Sequence, residues 1–417
     1  MSEAARSFPT TETGGELRHP KSLLYSINAR LGGYGLDLNA HEALKLSAAG
    51  NYLGLALAYD NRQKDVPASL IRSLRWSPVR LLSFLDSPFY YDAKKRYVDS
   101  VAANALQTGR YDFFHGWENN SLKSLRVAKQ MGIPSVLEIP TWHRDKGKVK
   151  PRNLVETSRI EREAGFPETL FRKILINRQE TLEEYDLADL LLVPSDCSAN
   201  TFIKAGFPRE KLFMLGAGVN LSDYPPNRPV LPEAFSAQRP LQAVYLGAMI
   251  KRKGVHHLLE AWKKAALPHA RLVLVGAVHK EMQPYLDQFA DPSIEVAGFT
   301  RDVAAKLNAA DLHIFPSECE GSAKTVYEAC AAGLAQITTF ESGDVVQNDL
   351  NGLIVPPNDP AALQAALIEL YQAPSRIARY QAAARQRAEQ ELTWDHFRQR
   401  LATAYDLVLR RASTSSR

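Results

Sequence analysis

The stretch LHIFPSECEGSAKTVYEACAAG, Leu312–Gly333, reads as strand, loop and helix in immediate succession. Leu312–Phe315 is a short apolar run. Pro316 cannot continue it as a central strand, and residues 317–323 are all small or acidic. A helix then opens near Lys324 and ends at Ala331-Ala332-Gly333. Short apolar runs that lead into helices are the pattern of a parallel sheet with crossover helices.

The alternation continues on both sides. The series containing this stretch predicts strands at Gln242–Gly247, Arg271–Gly276, Ile294–Gly298, Leu312–Phe315, Ala335–Thr339 and Leu353–Val355. An earlier series predicts Leu23–Ile27, Leu53–Tyr59, Tyr111–Phe114, Ser135–Glu138 and Leu190–Pro194. Between them lies YPPNRPVLP, Tyr224–Pro232, a proline-dense stretch that can carry neither helix nor central strand. The chain therefore reads as α/β throughout, in two domains facing across a cleft. Residues 1–20 form a flexible tail, 21–224 an N-terminal domain, 225–239 a linker and 240–393 a C-terminal domain. Residues 394–412 form a last helix whose apolar face, Trp394, Phe397, Leu401, Ala404, Tyr405 and Val408, needs a partner surface.

A length of 417 residues suits two domains rather than one core. Hydrophobic residues at 45% and charged residues at 23% describe an ordinary folded chain, not a disordered one. The formal charge of +5 suits a phosphorylated ligand or an anionic membrane surface and does not call for nucleic acid. Three cysteines, Cys197, Cys319 and Cys330, lack the paired spacings of a zinc site or disulfide framework. No apolar run is long enough to span a bilayer and no secretion signal is visible, so a cytoplasmic protein is expected.

The chemistry concentrates in the opening stretch. Gly321, Ser322 and Ala323 leave the backbone open where the helix begins, so the N–H groups of Lys324 and Thr325 can meet a diphosphate. Glu328 lies just over one turn along the helix, at a reach suited to ribose hydroxyls, while Glu320 sits in the loop nearer a sugar. Singly, either acid is equally a surface residue that complements the helix dipole. VYLGAMIKRKG, Val244–Gly254, supplies Lys251, Arg252 and Lys253 between a strand and a helix. Fixed cations there can stabilise a departing diphosphate in place of a metal, although the triplet alone is also a solvated basic loop.

Gly32 and Gly33 follow the first strand and permit close backbone approach to a ligand at a carboxyl edge. His115, at the end of another strand, either emerges at that edge or bonds within the core. Gly298 and Phe299 border the same edge in the second series. Trp142–Arg152 carries five cations against Asp145, as an exposed loop that is solvated or meets a phospholipid-linked acceptor.

In its order of strand, Pro-Ser, acidic loop, second Glu and Ala-Ala-Gly helix end, Pro316–Gly333 resembles the signature of retaining glycosyltransferase family 4. That family has the GT-B fold of two Rossmann-like domains. The resemblance implies a nucleotide-diphosphate sugar as donor and a glycan or glycolipid as acceptor, with no cofactor or metal required. The basic charge and the lack of a signal point to peripheral contact with the inner membrane face. The resemblance assigns Glu320 and His115 to the donor sugar, Glu328 to the ribose, Lys253 to the phosphates and the last helix to a return onto the first domain. Two positions depart from the family pattern. Ser322-Ala323-Lys324 stands where an aromatic, a glycine and an aliphatic residue are usual, and Ala248 stands where the family has an arginine. A nucleotide-sugar epimerase, a phosphorylase-like enzyme and a binding protein without chemistry are the rival readings, the last motivated by Ala248.

Overall fold

The computed structural model describes residues 17–32, 36–84, 87–144, 176–225 and 230–415. Gly33, most of the expected N-terminal tail and the greater part of the basic loop Trp142–Arg152 lie outside them. The chain divides into two compact units. The first takes most residues up to 194, then Ser198–Leu215 and the chain from Arg398; the second takes Ser195–Cys197 and Gly216–Phe397.

The first unit holds a seven-stranded parallel sheet. Its strands are β1 (Leu23–Leu31), β2 (Leu53–Asn61), β3 (Ile71–Ser73), β4 (Phe113–Trp117), β5 (Ser135–Glu138), β6 (Leu190–Val193) and β7 (Leu212–Met214), in the order β3-β2-β1-β4-β5-β6-β7. The central strands β4, β5 and β6 are buried along their whole length, including the polar His115, Ser135 and Glu138. Two short strands escaped the sequence reading. β3 and β7 have only three residues each and sit at the sheet edges, too short to show a period of two.

The last helix, Trp394–Ser415, buries Phe397, Leu401, Ala404, Tyr405 and Val408 at 2% exposure or less. From Arg398 onward it belongs to the first unit, where Arg400 donates to Leu215 O at 2.7 Å and Arg398 pairs with Glu42. Residues 18–20 are not loose, contrary to the expected tail. The Arg18 backbone donates to Asp406 at 2.8 Å, His19 stacks on Tyr52 and Pro20 is buried.

The second unit holds a six-stranded parallel sheet of β8 (Leu241–Leu246), β9 (Ala270–Val275), β10 (Ile294–Gly298), β11 (Leu312–Phe315), β12 (Ala335–Thr339) and β13 (Gly352–Val355). Their order is β10-β9-β8-β11-β12-β13. This is the doubly wound arrangement in which strand order reverses between the first and fourth strands, here β8 and β11, and ligands bind beyond the carboxyl ends at that reversal. Arg239, at the end of the expected linker, forms a two-pronged bond to Asp311 at 2.8 and 2.6 Å. The segment before β8 is thus tied to the second unit.

Inside this sheet His313 is fully buried. Its Nδ1 donates to Gln336 Oε1 at 2.9 Å and its Nε2 has no partner. Burial holds its pKa down, from 6.5 to about 4. The unfolded chain takes up this proton near pH 6.5 and the folded chain does not until about pH 4. The stabilisation is therefore complete above pH 6.5 and lost as pH falls toward 4, by up to about 3 kcal/mol. His313→Gln keeps a donor for Gln336 and does not titrate, so the variant should lose less melting temperature than the parent between pH 7 and pH 5. Equal losses in the two proteins would remove His313 as the cause.

Candidate active site

Two loops leave the carboxyl ends of β8 and β11, the strands that flank the reversal. The β8 loop turns at Gly247, passes through a single helical turn, Lys251–Lys253, and reaches Gly254, which opens the helix Val255–Ala265. The β11 loop runs from Pro316 to Ala323 and opens the helix Lys324–Ala331. The loops are joined through their backbones, with Glu318 N donating to Arg252 O at 2.9 Å and Ser317 Oγ donating to the same oxygen at 3.2 Å.

That closeness demands a glycine. Gly254 has φ +69°, and a Cβ there would lie 2.0 Å from Pro316 O. Gly298 has nearly the same φ, +70°, but nothing lies within 4 Å of its Cβ position. The two positions separate backbone preference from crowding.

Lys253 Nζ stands 3.7 Å from Glu320 Oε1, each side chain less than a fifth exposed, and over the Phe315 ring at 5.3 Å. The Gly247 backbone passes beside the same ammonium. Arg252 Nη1 donates to Glu320 at 3.0 Å and to Cys319 O. Of the two neighbouring cations Arg252 and Lys251, Arg252 enters this group. Lys251 instead lies over Tyr285, 4.9 Å from the ring centre. One carboxylate thus faces two cations, one of them, Arg252, still reaching solvent.

The helix Lys324–Ala331 has no side chain capping its start. The Thr325 hydroxyl is buried and without a hydrogen-bond partner, an unsatisfied polar group beside the open N-terminus. Glu328 is 8% exposed, with Lys324 Nζ at 3.2 Å. It also accepts the Tyr224 hydroxyl, whose pKa is raised by burial and by this carboxylate. Ser322 Oγ bonds the Tyr327 hydroxyl at 3.1 Å. Phe299 follows β10, on the other side of β8 and β9, and is 76% exposed.

The supports of the loop were not legible beforehand. Glu320 N and Ala323 N donate to Glu341 O and Ser342 O, which follow β12. Gly321 O accepts Ser195 Oγ at 2.6 Å, from a residue 126 positions away. The first two bonds use only backbone atoms and the third reaches across 126 positions, so no local pattern announces them.

In the first unit the sequence reading needs two corrections. His115 does not emerge at the sheet edge. It is 0% exposed, with Nδ1 2.8 Å from the Tyr405 hydroxyl and Nε2 3.2 Å from Glu138, so both ring nitrogens are engaged within the core. Gly32 has φ +80°, and a Cβ there would meet Gln63 N at 2.7 Å. The close approach it permits is to the protein's own backbone.

Among the described residues, one group could hold a metal: His256, His257 and Glu318, whose ligand atoms lie within 4.8 Å of one another. One imidazole is already engaged, with His257 Nε2 3.2 Å from Asn358 Oδ1. Burial and neighbouring His257 push the His256 pKa down to about 4.

Residues 240–373 match the family described as glycosyl transferases group 1. The chain is 28% identical over 286 residues to the putative colanic acid biosynthesis glycosyltransferase WcaL of Escherichia coli, covering 63% of this chain and 68% of WcaL. Two further curated glycosyltransferases are matched over 54% and 60% of their own lengths. Among solved structures, the sucrose-phosphate synthase of Thermosynechococcus elongatus superposes with a TM-score of 0.65 at 16% identity, covering 93% of this chain and 99% of that one. Anabaena HepE in complex with UDP-glucose gives 0.61 at 16% identity, with the same coverages. These superpositions show a shared fold.

Gly254→Ala should cost clearly more stability than Gly298→Ala. A left-handed conformation alone costs a non-glycine residue about 1–2 kcal/mol, and the clash with Pro316 O adds to it. Denaturant unfolding of both variants measures the difference, and equal costs would contradict the contact between the loops.

Proposed function

Because this chain carries a glycosyl transferases group 1 domain, on a fold shared with GT-B glycosyltransferases, we propose that it is a retaining, metal-independent enzyme. It moves a sugar from a nucleotide diphosphate to a hydroxyl of a cell-envelope glycan or glycolipid. The observation that carries this reading is the meeting of Lys253, Arg252 and Glu320 beside the open start of the helix Lys324–Ala331.

In the free enzyme Glu320 is the anion that Lys253 and Arg252 hold. A diphosphate placed over the helix start would bring stronger anionic partners to those cations and to the N–H groups of Lys324 and Thr325. Glu320 would then be released toward the sugar hydroxyls, and the Thr325 hydroxyl would gain its missing partner. As the bond from sugar to phosphate breaks, negative charge grows on the diphosphate. Fixed cations stabilise that charge more than the bound ground state, which is how binding becomes rate. The acceptor hydroxyl attacks from the face the diphosphate leaves, and a phosphate oxygen takes its proton, so configuration is retained. Glu328 receives the ribose hydroxyls, and Gly298 and Phe299 border the base.

The HepE complex supports a nucleotide sugar as donor, and WcaL supports a polysaccharide acceptor. Acceptor recognition falls to the first unit. The second reading, a nucleotide-sugar-binding protein without chemistry, rests on Ala248. The enzyme reading is supported by Arg252, four residues along, whose guanidinium lies beside Glu320.

Thermal-shift screening against nucleotides and nucleotide sugars should identify a stabilising donor, and slow release of its nucleoside diphosphate should follow. Glu320→Ala should lower that release by about 100-fold or more while the melting temperature stays near the parent's. Full turnover in the variant would refute the assignment. Stabilisation by a donor without any release would favour the binding protein.

A further inference from the structure

The first unit carries a surface that the transfer chemistry does not use. Between β2 and the end of the short helical segment Pro78–Leu82, three large apolar side chains stand in water: Trp76 at 80%, Leu81 at 79% and Phe84 at 77% exposure. These are the most exposed large apolar side chains of this unit among the described residues. A single exposed leucine is ordinary, but three such side chains within nine residues form a patch.

The surrounding charge has one sign. Residues 61–84 contain Arg62, Lys64, Arg72, Arg75 and Arg80, all exposed, against the single acid Asp65. Arg80 lies over the Trp76 ring at 4.4 Å and Arg75 at 5.8 Å, which draws the cations to the rim of the apolar group. Buried Asp60 from β2 pairs with Arg30 at 2.9 Å and stands 3.9 Å from both Arg62 and Arg75, too few negative charges to neutralise them. The character continues along the surface. Arg80 acts on Tyr59, and Lys94 sits among the rings of Tyr59, Tyr90 and Tyr91 at 4.5 to 4.9 Å. Tyr91 is itself 47% exposed.

Each part has a physical role at a lipid interface. Leucine and phenylalanine enter the acyl boundary, tryptophan and tyrosine sit at headgroup depth with a polar end in water, and arginines meet lipid phosphates. A soluble protein partner would be expected to offer acidic side chains and a shaped pocket. This surface is a loop and a short helical segment that follow β3, an edge strand of the sheet, and no acid lies between Trp76 and Phe84 in the sequence. We propose that Trp76, Leu81 and Phe84, ringed by Arg72, Arg75 and Arg80, dock the protein onto an anionic phospholipid bilayer. The docking goes beyond the transfer reaction and does not depend on it. It also places membrane contact at this patch rather than at the basic loop Trp142–Arg152.

Co-sedimentation of the full chain with vesicles tests this, comparing phosphatidylglycerol mixed with phosphatidylcholine against phosphatidylcholine alone. The protein should partition at least about tenfold more strongly to the anionic vesicles and lose most of that binding in high salt. Trp76→Ser, Leu81→Ser and Phe84→Ser together should lower partitioning about tenfold or more, as should Arg72→Ser with Arg80→Ser. All five positions are exposed, so melting temperature and release of nucleoside diphosphate from a soluble donor should stay as in the parent. Unchanged vesicle binding in the triple variant would overturn the proposal. So would no preference for anionic vesicles, or self-association that the triple variant abolishes while vesicles are ignored. Loss of donor turnover in the parent would count against the transfer reaction alone.

Discussion

The second unit depends on one close approach. The backbones of two loops meet where Gly254 lies against Pro316 and Glu318 N bonds Arg252 O. Parallel sheets present all their strand ends on one side, but only at the reversal of strand order do neighbouring loops diverge and leave room for a ligand. Here that reversal falls between β8 and β11. The contact behind the opening holds the two loops in register, so Lys253 from one and Glu320 from the other face each other 3.7 Å apart. With a side chain at position 254 the loops would part, and the ion pair with them.

The charges are arranged for a guest. A carboxylate between two cations is well satisfied in the free protein, whereas two cations and an uncapped helix start without it would repel. In the proposed reaction Glu320 would be a placeholder for the more highly charged diphosphate. Glu328 is likewise a mostly buried acid held by two partners, Lys324 and Tyr224.

The first unit shows how the same fold spends similar residues differently. Gly32 follows the end of β1 and His115 lies in the middle of β4, yet His115 is locked between Tyr405 and Glu138 and Gly32 is pressed against Gln63. Tyr405 comes from a helix 290 residues later, which no local pattern around His115 announces. The surface near Trp76 is the reverse case. Its large apolar residues are left outside.

Much of the architecture was legible because it is local. Ser135–Glu138, Ile294–Gly298, Leu312–Phe315 and Ala335–Thr339 were delimited to the residue, since short runs rich in apolar residues end at glycine, proline or polar turns. Glu320, Glu328 and Lys253 stood out as candidates, because loop, acid and helix start follow one another along the chain. Tertiary structure alone decided which pieces touch: Arg252 rather than Lys251 beside Glu320, Ser195 under Gly321, Tyr405 against His115. It also decided that the three-residue strands β3 and β7 exist, through pairing with β2 and β6. The reason is the same throughout. Periodicity and turn chemistry are properties of consecutive residues, whereas contacts between distant residues depend on how whole elements pack, often through backbone atoms that every residue shares.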